Sequence, residues 1–133
     1  IITRETESEE VKSEEAGEPG TGTISSSADH AVYVNNLNLK DEWVEIKNRG
    51  SSPVLLEGWK IEDEGSKHTY TFSSYTFSSY TLDSQATVTL YTGMGTDTSS
   101  ELYWGSESPV WNNDGDTAYL YDNIGNLIAE LER

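Results

Sequence analysis

The 111–117 loop of this 133-residue chain holds its densest set of side chains that could bind a ligand. Asn112, Asp114 and Asp116 alternate along it, and Ca²⁺ prefers the oxygens that such residues carry. An EF-hand loop counted from Asn112 requires Gly at its sixth position and Glu at its twelfth. The chain has Thr and Asn at those positions, so the three residues remain only weak candidates for a surface calcium site.

The other interpretation of the 111–117 loop is a structural turn. The pair Asp114-Gly115 can adopt the positive φ angles that a tight connection requires. We predict that Asn113 and Asp116 hydrogen-bond to the loop backbone, and that Trp111 fills one end of the core. Gly115 and Trp59 complete the predicted structural residues. This interpretation, which the sequence favours, assigns the protein no metal and no cofactor.

The two histidines, His30 and His68, are the first candidates for a catalytic acid or base. Neither lies in a recognisable nucleophile or metal motif. A Ser–His–Asp set or a carboxylate pair can be drawn in any chain this rich in Ser and Asp, and only geometry defines such sites. Cysteine is absent, which removes thiol chemistry and disulfides. We predict no enzymatic activity. A hydrolase is the weaker alternative, and a deep pocket joining His30 or His68 to carboxylates would support it.

The tryptophans divide into predicted core and predicted surface residues. Trp59 is in phase with Ile61 and, like Trp111, is predicted to be buried. Trp43 is out of phase with its apolar neighbours. Trp43 and Trp104 are therefore the tryptophans that could stack on a sugar or a peptide.

A repeated pentad, Tyr-Thr-Phe-Ser-Ser, occupies residues 70–74 and 75–79. It is too short for a solenoid repeat, and we interpret it as a small duplication that lengthens a strand or its loop. Its functional interpretation is an exposed Tyr/Ser edge, for which Tyr75 and Tyr80 are weak binding candidates.

The net charge of the chain disfavours some classes of binding partner. It has 24 Asp and Glu against 8 Lys and Arg, a net charge of −16. Binding to nucleic acid or to anionic membrane depends on basic side chains, so both are disfavoured. Self-repulsion of this size is relieved by salt, so we expect a halophilic protein; an ordinary acidic extracellular domain is the alternative.

Composition divides the chain once. Residues 1–28 are rich in Glu, then in Gly and Ser, and contain no aromatic residue. Such a segment buries too little apolar surface to offset the entropy of ordering. We predict a disordered acidic linker or tail there, with an interaction tail as the alternative.

Residues 29–133 show the pattern of a folded all-β domain. Apolar residues alternate with polar ones in short runs, such as 32–34, 43–47, 59–62 and 88–90, as strands with one buried face do. Turns rich in Gly, Asn, Asp and Ser separate the runs. This length and pattern predict an immunoglobulin-like antiparallel β-sandwich.

Several motifs in this domain appear in a recognisable order. They are Asp41-Glu42-Trp43-Val44-Glu45-Ile46, then Gly58-Trp59 with Ile61 and Asp63, then Leu102-Tyr103-Trp104, and finally Val110-Trp111-Asn112-Asn113-Asp114-Gly115-Asp116-Thr117-Ala118. Together they resemble the lamin-tail domain, an immunoglobulin-like module at the end of nuclear lamins that also occurs in bacterial and archaeal proteins. The resemblance implies a β-sandwich that binds or tethers and has no activity of its own.

The resemblance also implies a setting. In prokaryotes such domains resemble accessories of extracellular or membrane-associated proteins, often beside nucleases or other hydrolases. The chain starts at Ile1, and we expect it to be part of something longer. We therefore predict a non-catalytic binding or tethering module, extracellular or at the cell surface. Its partner would be a protein or an upstream domain of the same chain. A carbohydrate-binding or adhesion module using exposed aromatics is the alternative; the oligomeric state stays open.

Overall fold

The computed structural model of the protein describes residues 31–72 and 80–133. The predicted tail, residues 1–28, lies outside the described residues, and so do His30 and the whole second pentad. Residues 31–133 form one unit by their internal contacts, and everything below concerns that unit.

The described residues contain ten strands, which we number in chain order. They are β1 (Val32–Asn38), β2 (Trp43–Asn48), β3 (Val54–Leu55), β4 (Lys60–Glu62), β5 (Thr69–Thr71), β6 (Thr81–Leu82), β7 (Thr87–Tyr91), β8 (Glu101–Tyr103), β9 (Thr117–Tyr121) and β10 (Leu127–Glu132). The one helical element in these ranges is a 3₁₀ turn at Glu64–Ser66. The predicted all-β class is thereby confirmed.

The strands form two four-stranded sheets and a small ribbon. The first sheet has the order β1-β2-β7-β8, the second has the order β10-β9-β4-β5, and β3 pairs with β6. All pairs are antiparallel except β7 with β8, which is parallel. The sequence pattern predicts an antiparallel sandwich, so the parallel pair is a difference. The difference arises because residues 92–100 return the chain before β8 begins.

Alternation along the strands explains how the first sheet contributes to the core. Val44 and Ile46 of β2 pair with Leu90 and Val88 of β7, and all four are at most 1% exposed. Burying an aliphatic side chain of this size contributes roughly 1.5–3 kcal/mol. The residues between them point to the opposite face of the sheet. The phase of β2 therefore decides which of its side chains remain outside.

The second sheet closes the sandwich over the same core. Ile61 of β4 pairs with Leu120 of β9, and Leu120 pairs with Ala129 of β10. Ile61 and Leu120 belong to one hydrophobic cluster with the inward residues of the first sheet. Trp59, predicted from its phase to be buried, lies in this cluster at 3% exposed.

Asn48 joins the end of the first sheet to the small ribbon. Its side chain is fully buried; its Nδ2 donates to the carbonyls of Ser52 and Leu82, at 2.9 and 3.1 Å. Its Oδ1 accepts the Gly50 N–H at 2.9 Å. Every hydrogen-bonding group of this buried amide therefore finds partners, as a buried polar group requires.

Candidate functional site

The 111–117 loop is a hydrogen-bonded turn. The Gly115 N–H donates to the Asn112 carbonyl at 3.0 Å, and Gly115 has a φ of +137°, a region that glycine readily adopts. The Asn112 Oδ1 accepts the Asp114 N–H at 2.9 Å. This corrects the role predicted for Asn113: the side chain that caps the turn is that of Asn112. Both asparagines are exposed, so the hydrogen bond and not burial distinguishes them.

Asp116 anchors the loop to the rest of the fold. Its carboxylate is buried and accepts three backbone N–H groups. Oδ1 accepts those of Glu64 and Thr117, at 2.9 and 2.8 Å, and Oδ2 accepts that of Asn112 at 2.9 Å. Both oxygens are thus committed to the polypeptide, and they tie the loop to the 3₁₀ turn. In the described ranges, no three His, Asp or Glu side chains group together as a metal ion would require.

Trp111 is held at the buried end of the loop. It is 2% exposed, and its ring meets that of Trp104 edge to face, with centroids 6.2 Å apart. Its backbone N–H donates to the Glu42 carboxylate, as does that of Val110 at 2.8 Å. Glu42 has a φ of +62°, uncommon for a residue with a side chain. Sequence reasoning assigned Glu42 no such role, because its partners are remote in the chain.

An open cleft of ≈ 440 Å³ lies between the 111–117 loop and the turn around residues 63–68. Within it, His68 Nδ1 lies 2.7 Å from Asp63 Oδ2, and the His68 N–H donates to Asp63 Oδ1 at 2.8 Å. A carboxylate can orient an imidazole for acid–base chemistry in this way. The lining residues are Asp63, Glu64, Gly65, Lys67, His68, Pro109, Val110, Trp111, Asn112, Gly115 and Asp116.

This cleft has a histidine held by a carboxylate, as a serine-type hydrolase requires, but its described lining lacks the nucleophilic hydroxyl. It does join His68 to buried carboxylates, but no hydroxyl-bearing side chain is among the described residues that line it. Ser66, the nearest serine in sequence, donates its hydroxyl to Glu62 instead. Asp63 and Asp116 both accept backbone N–H groups, so their carboxylates already serve the fold. The arrangement supports a structural use of the His68–Asp63 pair.

Two of the predicted surface aromatics are part of the packing. Trp104 lies 5.6 Å from the Tyr70 ring, and Tyr80 stacks on Phe72 at 6.0 Å. Tyr70 and Phe72 meet edge to face at 5.3 Å, which links these rings into a continuous chain. Trp104 and Tyr80 are therefore half-buried packing residues and do not form a free platform. Tyr75, the remaining candidate of this type, lies outside the described residues.

Tyr80 is expected to make stability sensitive to alkali. Burial, and secondarily the negative charge of Asp83, raise the pKa of Tyr80 to about 12. In the unfolded chain the phenol ionises near its usual value of about 10. The stability from its protonated form is therefore fully present below about pH 10 and is lost as the pH rises toward about 12. Urea unfolding at about pH 9 and about pH 11 should show a larger loss for wild type than for Tyr80→Phe. Equal losses in the two proteins would contradict this assignment.

A row of aromatic side chains crosses the outer face of the first sheet. Trp43 pairs with Tyr91 across β2 and β7, and Tyr91 pairs with Tyr103 across β7 and β8. All three are half-buried. We call Trp43, Tyr91 and Tyr103 the aromatic row. Of the three, only Trp43 was predicted from the sequence to be a surface binding residue. Tyr91 and Tyr103 each follow a buried leucine directly. This alternation could have predicted from the sequence that both tyrosines point outward.

The ring geometry of the row limits what it can bind. Tyr91 and Tyr103 stack on each other, with centroids 5.3 Å apart and ring planes 20° from parallel. Gly95 lies against the Tyr103 ring, and an added Cβ there would overlap with the ring. Each tyrosine covers one face of the other, and the pair does not form a coplanar platform. This pair therefore gives no support to the carbohydrate-binding alternative.

These features define a class: an immunoglobulin-like β-sandwich whose conspicuous polar clusters serve the fold. The model of the family described as Lamin Tail Domain matches residues 25–133. The chain belongs to the lamin-tail domain family, whose members are generally non-catalytic immunoglobulin-like domains. No curated protein is significantly similar to it. In the ranges the structure describes, no helix has the length and apolar character needed to cross a membrane.

Proposed function

We propose that this domain is a non-catalytic binding module that tethers a larger protein to a protein partner or to another domain. The aromatic row is its contact surface. The observation that carries the proposal is the alignment of Trp43, Tyr91 and Tyr103 across three neighbouring strands, on the face turned away from the core. Aromatic residues are enriched at protein interfaces and among the side chains that contribute most to binding.

The position of the row favours recognition by a preformed surface. Its three residues lie on paired strands whose inward neighbours, including Leu90 and Leu102, are at most 3% exposed. The Tyr103 N–H also donates to Asp97 Oδ1 at 2.9 Å, which ties the loop preceding β8 to the row. A rigid surface loses little conformational entropy when a partner binds. The row could therefore bind without rearrangement of the sheet.

The setting we propose is extracellular or at the cell surface, in a salt-rich environment. Its support is the resemblance to prokaryotic accessory domains, together with the excess of 24 acidic over 8 basic residues. Repulsion within such a chain weakens as ionic strength rises. In this setting the domain would position a larger protein and leave any chemistry to its other parts.

The proposal is tested by affinity capture from an extract and culture supernatant of the producing cells. Baits are the wild-type chain, a variant with Trp43, Tyr91 and Tyr103 changed to Ser, and a control with Tyr119→Ser and Tyr121→Ser. The control removes another stacked tyrosine pair, whose centroids are 6.4 Å apart on β9 of the other sheet. We expect the same proteins to be retained by wild type and control and lost from the row variant.

Two outcomes would overturn this assignment. Either no protein is retained by the wild-type bait, or the retained proteins are unaffected by the row variant. Competition by soluble polysaccharide, with no protein retained, would instead favour the carbohydrate-binding alternative. Circular dichroism of all three baits must show the same β-sheet content, so that lost capture reports a lost surface.

A further inference from the structure

We infer that the aromatic row binds a basic polypeptide segment, one that carries several Lys or Arg side chains. This inference rests on the proposed function, because it specifies the chemistry of the partner for the same surface. It follows from how charge is distributed over the outer face of the first sheet.

Carboxylates lie next to both ends of the aromatic row. Glu45 and Glu101 both pair with Thr89. Each lies two residues along its strand from Trp43 or Tyr103, so it is on the same outer face of the sheet. Asp97 lies beside Tyr103, whose backbone N–H its Oδ1 accepts. Glu45 accepts an uncharged donor, the Asn35 side-chain amide, at 2.6 Å. We call the row with these three carboxylates the acidic half of the face.

The other half of the same face has its cations already engaged. The Arg49 guanidinium lies 4.2 Å from the centroid of the Tyr33 ring, in a cation–π contact. The Lys47 Nζ donates to the Gln85 carbonyl at 3.2 Å. Among the described residues, no ion pair or cation–π contact joins a Lys or Arg to the acidic half. Around Tyr33, an aromatic ring is thus paired with a cation of the same chain. In the acidic half, the rings and carboxylates have no such cation among the described residues.

Charge complementarity indicates which kind of molecule can bind the aromatic row. A second copy of the chain would bring another net charge of −16, and residues 1–28 are themselves rich in Glu. Both would be repelled, as would nucleic acid and anionic lipid. A sugar would need a broad coplanar ring platform, which the mutually stacked Tyr91 and Tyr103 do not form. A basic segment can instead place its methylene stems along the rings and its charged heads on the carboxylates.

The test uses the full chain and short labelled peptides of alternating Arg and Ser, Lys and Ser, Gln and Ser, and Glu and Ser. Binding is measured by fluorescence anisotropy at about 0.15 M salt, where long-range charge effects are largely screened. We expect the Arg and Lys peptides to bind and the Gln and Glu peptides not to bind. In heteronuclear NMR spectra, the amides that shift should be those of β2, β7 and β8.

Matched charge variants distinguish binding at this surface from non-specific attraction to the acidic chain as a whole. Glu45→Gln with Glu101→Gln removes two charges from the acidic half. Glu130→Gln with Glu132→Gln removes two exposed charges from β10 of the other sheet. We expect the first pair to weaken binding roughly tenfold or more and the second less than about twofold.

Equal weakening by the two pairs, or no binding of any basic peptide, would overturn the inference. The failure of the inference can be distinguished from that of the proposed function. If captured proteins depend on the row but basic peptides do not bind, the row is a binding surface of other chemistry. If neither capture nor peptide binding depends on the row, both assignments are wrong.

Discussion

Replacing Trp111 by alanine is expected to lower the free energy of unfolding by about 3–5 kcal/mol, the range for emptying a buried aromatic site. The side chain is 2% exposed and packs against Trp104, so its removal leaves a cavity at the end of the sandwich. Urea denaturation followed by far-UV circular dichroism measures the loss independently of tryptophan fluorescence. A loss below about 1 kcal/mol would show that the ring does not support the core.

Trp111→Phe is the matched control for that result. Among the described residues, the buried Trp111 Nε1 has no hydrogen-bond partner, so phenylalanine removes a polar atom without breaking a bond. We expect its cost to stay below about 2 kcal/mol, mostly from lost volume. If phenylalanine were as costly as alanine, an interaction of the indole nitrogen would have to account for it.

Asp116→Ala is expected to cost about 2–4 kcal/mol, because three backbone N–H groups lose a charged acceptor. The buried Thr117 N–H alone costs about 1–3 kcal/mol when it is unsatisfied, and the two part-buried donors add less. These donors belong to Asn112, Glu64 and Thr117, so the loss should loosen both the loop and the 3₁₀ turn. Hydrogen exchange of the three amides should accelerate together. A variant within about 1 kcal/mol of wild type, with unchanged exchange, would contradict the anchoring role.

Melting in EDTA and in excess calcium separates this role from the metal alternative. If the loop is a structural turn, wild type melts at the same temperature in both, and the cost of Asp116→Ala does not depend on calcium. Asp114→Asn, which removes the exposed carboxylate of the same loop, should then change stability by no more than about 0.5 kcal/mol. A calcium site predicts the opposite: wild type gains stability by mass action, and either substitution abolishes the gain.

Much of the fold could be predicted from the sequence because the deciding information is local. In β2, the alternation of Val44 and Ile46 with polar neighbours sets which face is buried, and the same period marks β7 and β9. Trp59 was placed in the core by its phase with Ile61. A side chain on a strand points to one face or the other, so phase alone assigns it once the strand is recognised.

Single positions within turns were less predictable. Both Asn112 and Asn113 can cap a turn through a side-chain oxygen, and composition does not distinguish them. The path of the backbone decides, and it brings the Asp114 N–H to Asn112. Glu42 is a similar case, because its carboxylate gains a role only when residues 110 and 111 are folded against it.

The sequence alone thus determined the class of the fold, the face of each main strand and the acidic character of the surface. The tertiary structure alone decided which outward side chains are neighbours. Trp43, Tyr91 and Tyr103 are far apart in the chain and form one row only because β7 lies between β2 and β8 in this register. A shift of one residue in either pairing would turn a ring to the opposite face. The packing of the whole core holds that register, and no local pattern specifies which strands it brings together.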